Sequence, residues 1–147
     1  MRFHLIDRID EYEQRKHVRA RKLTSVSEDF WAGTPPVMPA PLVLESLCQA
    51  ATWLIVASTE QRKRAALLQI GHVSFLGDVH PGDVLELQGE VSAMSEEMAV
   101  LAGTARVGER LILSASDIMC ALIDADDLQA PEETARLRLQ LMREGAR

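Results

Sequence analysis

Two polar side chains, Glu45 and Gln49, stand out in the most apolar stretch of the sequence. They are four positions apart, so on a helix they lie on one face. Residues 41–58 are otherwise mostly apolar, which predicts a helix buried on every side. A buried carboxylate without a partner costs on the order of several kcal/mol. We therefore expect Glu45 to be paired, to border a wet cavity, or to act in catalysis.

The flanks of this stretch suggest where the helix begins and ends. Pro41 suits a first helical position, where its missing N–H is no loss. After residue 58 the sequence becomes polar and then basic, with Arg62, Lys63 and Arg64 in succession. We expect these cations near the C-terminus of the helix, where its dipole favours positive charge.

The pattern around the helix predicts strands. Partial alternation and short polar turns favour strands at residues 3–12, 18–26, 67–76, 84–95, 98–107 and 110–124. Strands, one helix and a further run of strands predict an α+β domain, in which a long antiparallel sheet wraps around one central apolar helix. Residues 131–145 have acidic residues first and Arg143 near the end, as a C-terminal helix prefers. We expect a domain at residues 1–127 and a helical extension at 128–147.

Composition narrows the function classes. With 147 residues, 47% of them hydrophobic, the chain can bury one core. A net charge of -6 argues against a nucleic-acid partner. Cys48 and Cys120 lie in apolar runs without metal-ligand spacing, so we expect reduced core thiols, no metal and a cytoplasmic protein.

Export and membrane insertion are not expected. The N-terminus lacks the apolar segment of a secretory signal. The central helix reaches the lower length limit of a membrane span. Glu45 and Gln49 near one end favour a buried helix instead, with no membrane partner.

Several motifs, taken in order, resemble the β-hydroxyacyl-acyl-carrier-protein dehydratases of fatty-acid synthesis, which have the hot-dog fold. They are DRIDEYE at 7–13, FWAG at 30–33, VMPAPLVLESLCQA at 37–50, the strand ending in Phe75, HPGDVLEL at 80–87 and MCALI at 119–123. The resemblance implies a hot-dog dimer and a 3-hydroxyacyl substrate on the phosphopantetheine of an acyl carrier protein. It implies no further cofactor.

The resemblance also implies roles for particular residues. In the family, a loop histidine of one subunit removes the α-proton, and an acid of the other subunit protonates the departing hydroxyl. Backbone N–H groups at the helix start polarise the thioester carbonyl. Glu45 matches the acid and Gln49 a family glutamine. Met38, Pro39 and Ala40 match the MPG motif, with alanine in place of its glycine.

The family histidine is missing from this chain. Family loops read GHFPGxPxMPG, whereas here Gly33 is followed by Thr34 in a loop three residues shorter. Removing an α-proton needs a base whose pKa is near the working pH, which contributes about 10²- to 10⁴-fold. Threonine cannot serve in that role. His72 and His80 are alternative bases, although a solvated surface or edge position is the simpler interpretation of each.

The sequence leaves three functions open, two of them enzymatic and one non-catalytic. The first is a dehydratase-like lyase in which Glu45 works with a substitute group, with Thr34 in the histidine's place. The second is a thioesterase, in which Glu45 activates water and helix-start N–H groups hold the oxyanion. The third is a non-catalytic acyl-carrier-binding subunit, half of a heterodimer whose other chain supplies the histidine.

All three functions predict an acyl tunnel. The candidate substrate-contacting residues are Met38, Pro39, Ala40, Gln49, His72 and Phe75. The expected partners are acyl carrier protein or acyl-CoA, and a second copy or a paralogue in a dimer. Arg62, Lys63 and Arg64 are candidate docking residues for the acidic carrier, although a solvated helix end explains them equally well.

Overall fold

The chain forms a six-stranded antiparallel sheet packed around one long helix. The computed structural model describes residues 3–127 and 131–142. Its elements are β1 (Arg8–Glu13), β2 (His17–Leu23), α1 (Ala40–Ser58), β3 (Lys63–Phe75), β4 (Val84–Met94), β5 (Met98–Val107), β6 (Arg110–Asp124), a 3₁₀ turn (Ala125–Asp127) and α2 (Pro131–Met142). The strand order is β1-β2-β4-β5-β6-β3, and both edge strands contact α1. The predicted α+β architecture is confirmed.

The core lies between α1 and the inner face of the sheet. Leu47, Leu54 and Ile55 of α1 are fully buried there. The prediction that α1 is buried on every side is only partly met, because Cys48, Gln49 and Thr52, which share one face of the helix, are half-buried. One side of the helix is therefore left partly uncovered by its own chain.

Two glycines allow α1 to approach the sheet closely. Gly89 and Gly103 are cross-strand partners on β4 and β5. A Cβ on Gly103 would lie 2.5 Å from the Gln88 carbonyl oxygen and 2.8 Å from Leu47 Cδ1. A Cβ on Gly89 would lie 3.2 Å from Val18 Cγ1. Larger residues at this pair would push the helix away from the strands that face it.

The turn after α1 differs from the prediction. The helix ends at Ser58 and has no basic residue in its last turn. Glu60 and Gln61 have positive φ values of 51° and 66°, which reverse the chain at once. The three cations therefore follow the last turn of α1 and do not belong to it, since β3 begins at Lys63, but Arg62 Nε still donates to the carbonyl of Thr59 at the helix end.

The N-terminal segment is also not a strand along its predicted length. Strand β1 begins only at Arg8. Before it, the Leu5 N–H donates to the side-chain oxygen of Gln49 at 2.8 Å, so a side chain takes the place of a strand partner. This segment therefore lies against α1.

The predicted C-terminal helix is confirmed at residues 131–142. The Arg64 Nη2 donates to Thr134 Oγ1 at 2.6 Å, which fastens α2 to the start of β3. Leu141 and Met142 pack against the core. The rest of the predicted extension, residues 128–130 and 143–147, lies outside the described residues, and the domain division stays a prediction.

By length and composition, α1 is the one described helix that would be able to cross a membrane. Half of its apolar window is buried within this chain. Core helices of soluble proteins pass the same test, and the packing of both edge strands on α1 favours that interpretation.

Candidate active site

Glu45 lies in the wall of a cavity of about 180 Å³ between α1 and the sheet. From Glu45 to Ile55 the cavity follows α1 for about 15 Å, at the helical rise per residue. Strands β3, β5 and β6 supply its other wall, with Ala65, Leu67, Leu101, Ile118 and Cys120. A mostly apolar cavity with a carboxylate at one end suits a hydrocarbon chain with a polar head.

The side-chain amide of Gln49 holds Glu45 in position. Its Nε2 donates to Glu45 Oε1 at 3.1 Å and to the Phe3 carbonyl at 3.1 Å. Its oxygen accepts the Leu5 N–H. Because both the donor group and the acceptor of the amide are engaged, its orientation is fixed. The structure thus gives Glu45 both a partner and a cavity, and leaves Oε2 available to a ligand.

Two thiols share the cavity with Glu45. Burial, together with the smaller effects of the nearby Glu45 and Cys120, raises the pKa of the Cys48 thiol to about 11. Burial also raises the pKa of Cys120. Both cysteines are free, and both remain protonated thiols at neutral pH. They are poor nucleophiles, which leaves Glu45 as the group in this cavity suited to acid–base chemistry.

The start of α1 presents a backbone donor. Pro39 precedes the helix without a side-chain cap, and Pro41 has no N–H. Leu42 and Val43 donate to the Pro39 carbonyl at 2.9 and 3.3 Å. The N–H of the exposed Ala40 is the first of the helix and has no acceptor within it. It is therefore suited to donate to a bound oxygen atom.

The short loop that carries Thr34 is closed by backbone pairing. Ala32 and Val37 exchange two hydrogen bonds, of 3.0 and 2.8 Å, around it. Thr34 is exposed and is not among the residues that line the Glu45 cavity. Beyond the loop, buried Met38 donates its N–H to the Val79 carbonyl at 2.9 Å. Within one chain, Thr34 and Glu45 are not brought together at the cavity.

His72 lies on the opposite face of the sheet from α1. It is exposed and pairs with Ser116. The next residue, Val73, pairs with the buried Ala115 and so faces the core. Because successive side chains alternate between faces, His72 points outward. The structure does not bring His72 to the cavity.

Strand β3 leaves an apolar edge uncovered. Within the described chain it pairs with β6 alone. Leu67, Leu68, Phe75 and the following Leu76 are 53%, 59%, 53% and 57% exposed. Phe75 pairs with fully buried Leu113, so it lies on the core side of the sheet and yet remains open to contact.

The three candidate docking cations are largely engaged within the chain. Lys63 Nζ lies 2.8 Å from Asp124 Oδ1. Arg64 donates to Thr134 and to two backbone carbonyls, and burial lowers its pKa. Arg62 is exposed, with Nε donating to the Thr59 carbonyl at 3.2 Å. The shallow depression around them is also lined by Glu60, Glu96, Asp124 and Asp126.

Sequence reasoning missed several residues of the cavity. Cys48 follows Glu45 by three positions, and helical spacing alone would have placed it beside the carboxylate. Leu101, Ile118 and Cys120 come from distant strands whose register no local pattern specifies. The contact of Phe3 and Leu5 with Gln49 had no sequence signal that we recognise.

Comparison with solved structures identifies the fold. A hypothetical thioesterase of Streptococcus pneumoniae, solved with coenzyme A, matches with a TM-score of 0.60 at 18% identity, over 79% of this chain and 84% of that one. An uncharacterised protein of Pyrococcus horikoshii matches with a TM-score of 0.64 at 11% identity, over 81% and 82%. The sheet, the central helix and these likenesses define a hot-dog protein, as expected.

Comparison of sequences identifies the family. Residues 1–116 match the FabA-like domain. The 3-hydroxyacyl-[acyl-carrier-protein] dehydratase FabZ of Levilactobacillus brevis is 37% identical over 126 residues, 83% of this chain and 84% of that protein. The FabZ of Chlamydia pneumoniae is 35% identical over 133 residues, 86% of each. The chain therefore belongs to the FabA-like family, and the resemblance noted in the sequence is confirmed.

Proposed function

We propose that this protein dehydrates 3-hydroxyacyl thioesters carried on acyl carrier protein, in fatty-acid or polyketide-type synthesis. The observation that carries the proposal is the Glu45 carboxylate, oriented by Gln49 at one end of an apolar cavity. The FabZ relatives, which share about a third of the sequence, are dehydratases by name. Their substrate class is the one that this cavity suits.

Each part of the site has a role in this reaction. The apolar wall of the cavity receives the acyl chain, and the Ala40 N–H donates to the thioester carbonyl as negative charge develops on it. Glu45 in its protonated form gives a proton to the departing hydroxyl, which leaves as water. The phosphopantetheine arm belongs to the substrate, and no resident cofactor is required.

A second copy of the chain completes the assembly. The free edge of β3 offers unpaired backbone groups and two exposed apolar pairs, Leu67 with Leu68 and Phe75 with Leu76. A two-fold axis midway between these pairs makes the edge self-complementary. The half-buried Leu44 and Trp53 of α1 give that second copy further apolar surface to cover. A paralogue with a similar edge would fit the same surface.

Hydrolysis is the second candidate, because the cavity holds one carboxylate close to a helix N-terminus. Glu45 as a base would activate water, and the Ala40 N–H would hold the oxyanion. The Streptococcus pneumoniae protein of the same fold is described as a hypothetical thioesterase. A non-catalytic carrier-binding subunit is the third candidate, because the resemblance puts Thr34 in the place of the family base.

Carrier docking and location remain predictions. Arg62 is the most available of the three candidate cations, since it is exposed, whereas Lys63 and Arg64 are half-buried and held by Asp124 and Thr134. The neighbouring carboxylates of Glu60 and Glu96 would repel an acidic carrier protein. Two unpaired cysteines fit a cytoplasmic protein.

Product analysis distinguishes the three functions. The pure protein is incubated with 3-hydroxyacyl-carrier and acyl-carrier thioesters, and products are identified by mass. Enoyl product supports dehydration, free acid supports hydrolysis, and tight binding without turnover supports the carrier-binding subunit. Glu45→Gln preserves shape and removes the proton-transfer group. If this variant dehydrates as fast as the wild type, Glu45 has no catalytic role.

A further inference from the structure

The imidazole of His80 is fixed in one orientation beside the loop that lacks the family histidine. Its Nδ1 lies 3.0 Å from the Pro36 carbonyl oxygen. A carbonyl only accepts hydrogen bonds, so Nδ1 must carry the hydrogen. In the neutral ring, Nε2 then keeps its lone pair and is free to accept a proton. His80 is half-buried.

The backbone of His80 is held as firmly as its ring. Its N–H donates to Asp83 Oδ2 at 2.9 Å, and its carbonyl accepts the Asp83 N–H at 3.0 Å. The preceding Val79 is fully buried and accepts the Met38 N–H. His80 is therefore fastened to the segment that leads into α1, which is the rigid support that a catalytic group needs.

The resemblance places the family base at Thr34, and Pro36 follows Thr34 by two residues. His80 thus brings an imidazole to the same loop from the connection between β3 and β4. Within one chain His80 does not line the Glu45 cavity. The two groups would have to meet across subunits.

The proposed pairing of β3 edges supplies that meeting. Leu67 lines the Glu45 cavity at one end of β3, and Phe75 lies about 26 Å away at the other end, at the rise of an extended strand. His80 follows Phe75 by five residues. Antiparallel pairing about an axis near Gly71 places the Phe75 end of one subunit beside the Leu67 end of the other. The His80 loop then approaches the opposite subunit's Glu45.

We propose that His80 is the base that removes the α-proton, acting on substrate held beside Glu45 of the other subunit. This inference rests on the proposed dehydratase function. His80 Nε2 takes the α-proton, the C–H electrons form the carbon–carbon double bond, and the C–O bond to the hydroxyl breaks. Glu45 protonates the hydroxyl, which leaves as water. The proton on His80 then passes through solvent to the Glu45 carboxylate, which restores both groups.

A substitution that keeps the ring's hydrogen bond tests the role of His80. In His80→Asn the side-chain amide still reaches the Pro36 carbonyl, but nothing replaces Nε2. With 3-hydroxybutyryl-pantetheine as the probe, kcat should fall about 10²- to 10⁴-fold, with little change in KM or in thermal stability. His17→Asn, at a histidine that pairs with Glu11 on β1, is the matched control and should keep wild-type kcat.

Mixing two inactive variants tests the geometry. Random dimers of Glu45→Gln and His80→Asn chains contain one intact site in half of the molecules, so about a quarter of wild-type activity should return. No recovery would overturn the assignment across subunits. A second outcome is that the wild type and His80→Asn dehydrate the substrate while Glu45→Gln does not. In that case the dehydratase function stands and His80 is not the base. A wild type without dehydratase activity overturns both proposals.

Discussion

The side-chain amide of Gln49 lies 3.1 Å from the Glu45 carboxylate and ties it to the backbone of Phe3 and Leu5. One residue therefore joins the candidate acid to the N-terminal segment. A carboxylate on a helix flanked by half-buried apolar side chains would otherwise sample several rotamers. The contact selects one of them through Oε1 and leaves Oε2 without a hydrogen bond to Gln49.

Replacing Gln49 should lower activity more than substrate binding. In Gln49→Leu, Glu45 loses the hydrogen bond that holds its Oε1 in place. The rate constant kcat should therefore fall by about tenfold or more, while KM changes little. The Phe3 carbonyl and Leu5 N–H lose their partner, which should lower the free energy of unfolding by about 1–3 kcal/mol. Kinetics and chemical denaturation measure the two effects.

The matched control for this change is Gln14→Leu. Gln14 Nε2 also donates to a backbone carbonyl, that of Ala57 at the far end of α1, at 3.0 Å. It should leave kcat unchanged. Equal kcat values for both variants would show that Gln49 does not position Glu45.

A charge on the free edge of β3 should prevent dimer formation. Leu68 is 59% exposed, and Leu68→Lys would place an ammonium group where two copies of the strand pair. We expect a monomer with little dehydratase activity, measured by sedimentation and by product formation. Leu139→Lys on α2, at a leucine 60% exposed, is the control and should remain dimeric. A wild-type monomer would show that this edge is not an interface.

Adding a methyl group beneath α1 should destabilise the fold. Gly103→Ala forces a Cβ to 2.5 Å from the Gln88 carbonyl oxygen, a backbone atom that cannot move alone. Overpacking of this kind typically costs about 1–3 kcal/mol, read from the denaturant midpoint. Gly89→Ala meets its nearest atom at 3.2 Å and should cost less. A reversed order would contradict this account of helix–sheet packing.

The Cys48 thiol should be alkylated slowly, and its alkylation rate should keep rising with pH to beyond pH 10. A pKa raised to about 11 from 9.0 makes its thiolate about 100-fold scarcer near pH 8. Alkylation of the folded Cys120→Ser variant, followed by mass, should therefore accelerate about tenfold per pH unit to beyond pH 10. The denatured variant serves as the reference. A plateau near pH 9 in the folded protein would mean that the thiol is not desolvated.

Local patterns were sufficient for most of the fold. The apolar run predicted α1, and alternation bounded by short turns predicted β4, β5 and β6 almost to the residue. The first strand and the start of β3 were misplaced, because a side-chain contact and a left-handed turn decided them. Neither follows from periodicity.

The candidate site was only partly accessible from sequence. Glu45 and Gln49 were found because helical spacing is local. The opposite wall depends on a register shift in β3 between Leu67 and Gln69, which places Leu67 opposite Cys120. The sequence left the face of His72 open, because alternation gives two faces without saying which is inside. The ring contact of His80 with Pro36 joins residues 44 positions apart and required the fold.

The tie between Gln49 and Phe3 also bears on how the purified protein behaves. A hexahistidine tag fused ahead of Phe3 would emerge beside Glu45, because the Phe3 carbonyl is bonded to the same amide as that carboxylate. Such a tag would supply surplus imidazoles next to the candidate acid and would imitate a native base. Purification through the other terminus, or cleavage of the tag, avoids that artefact.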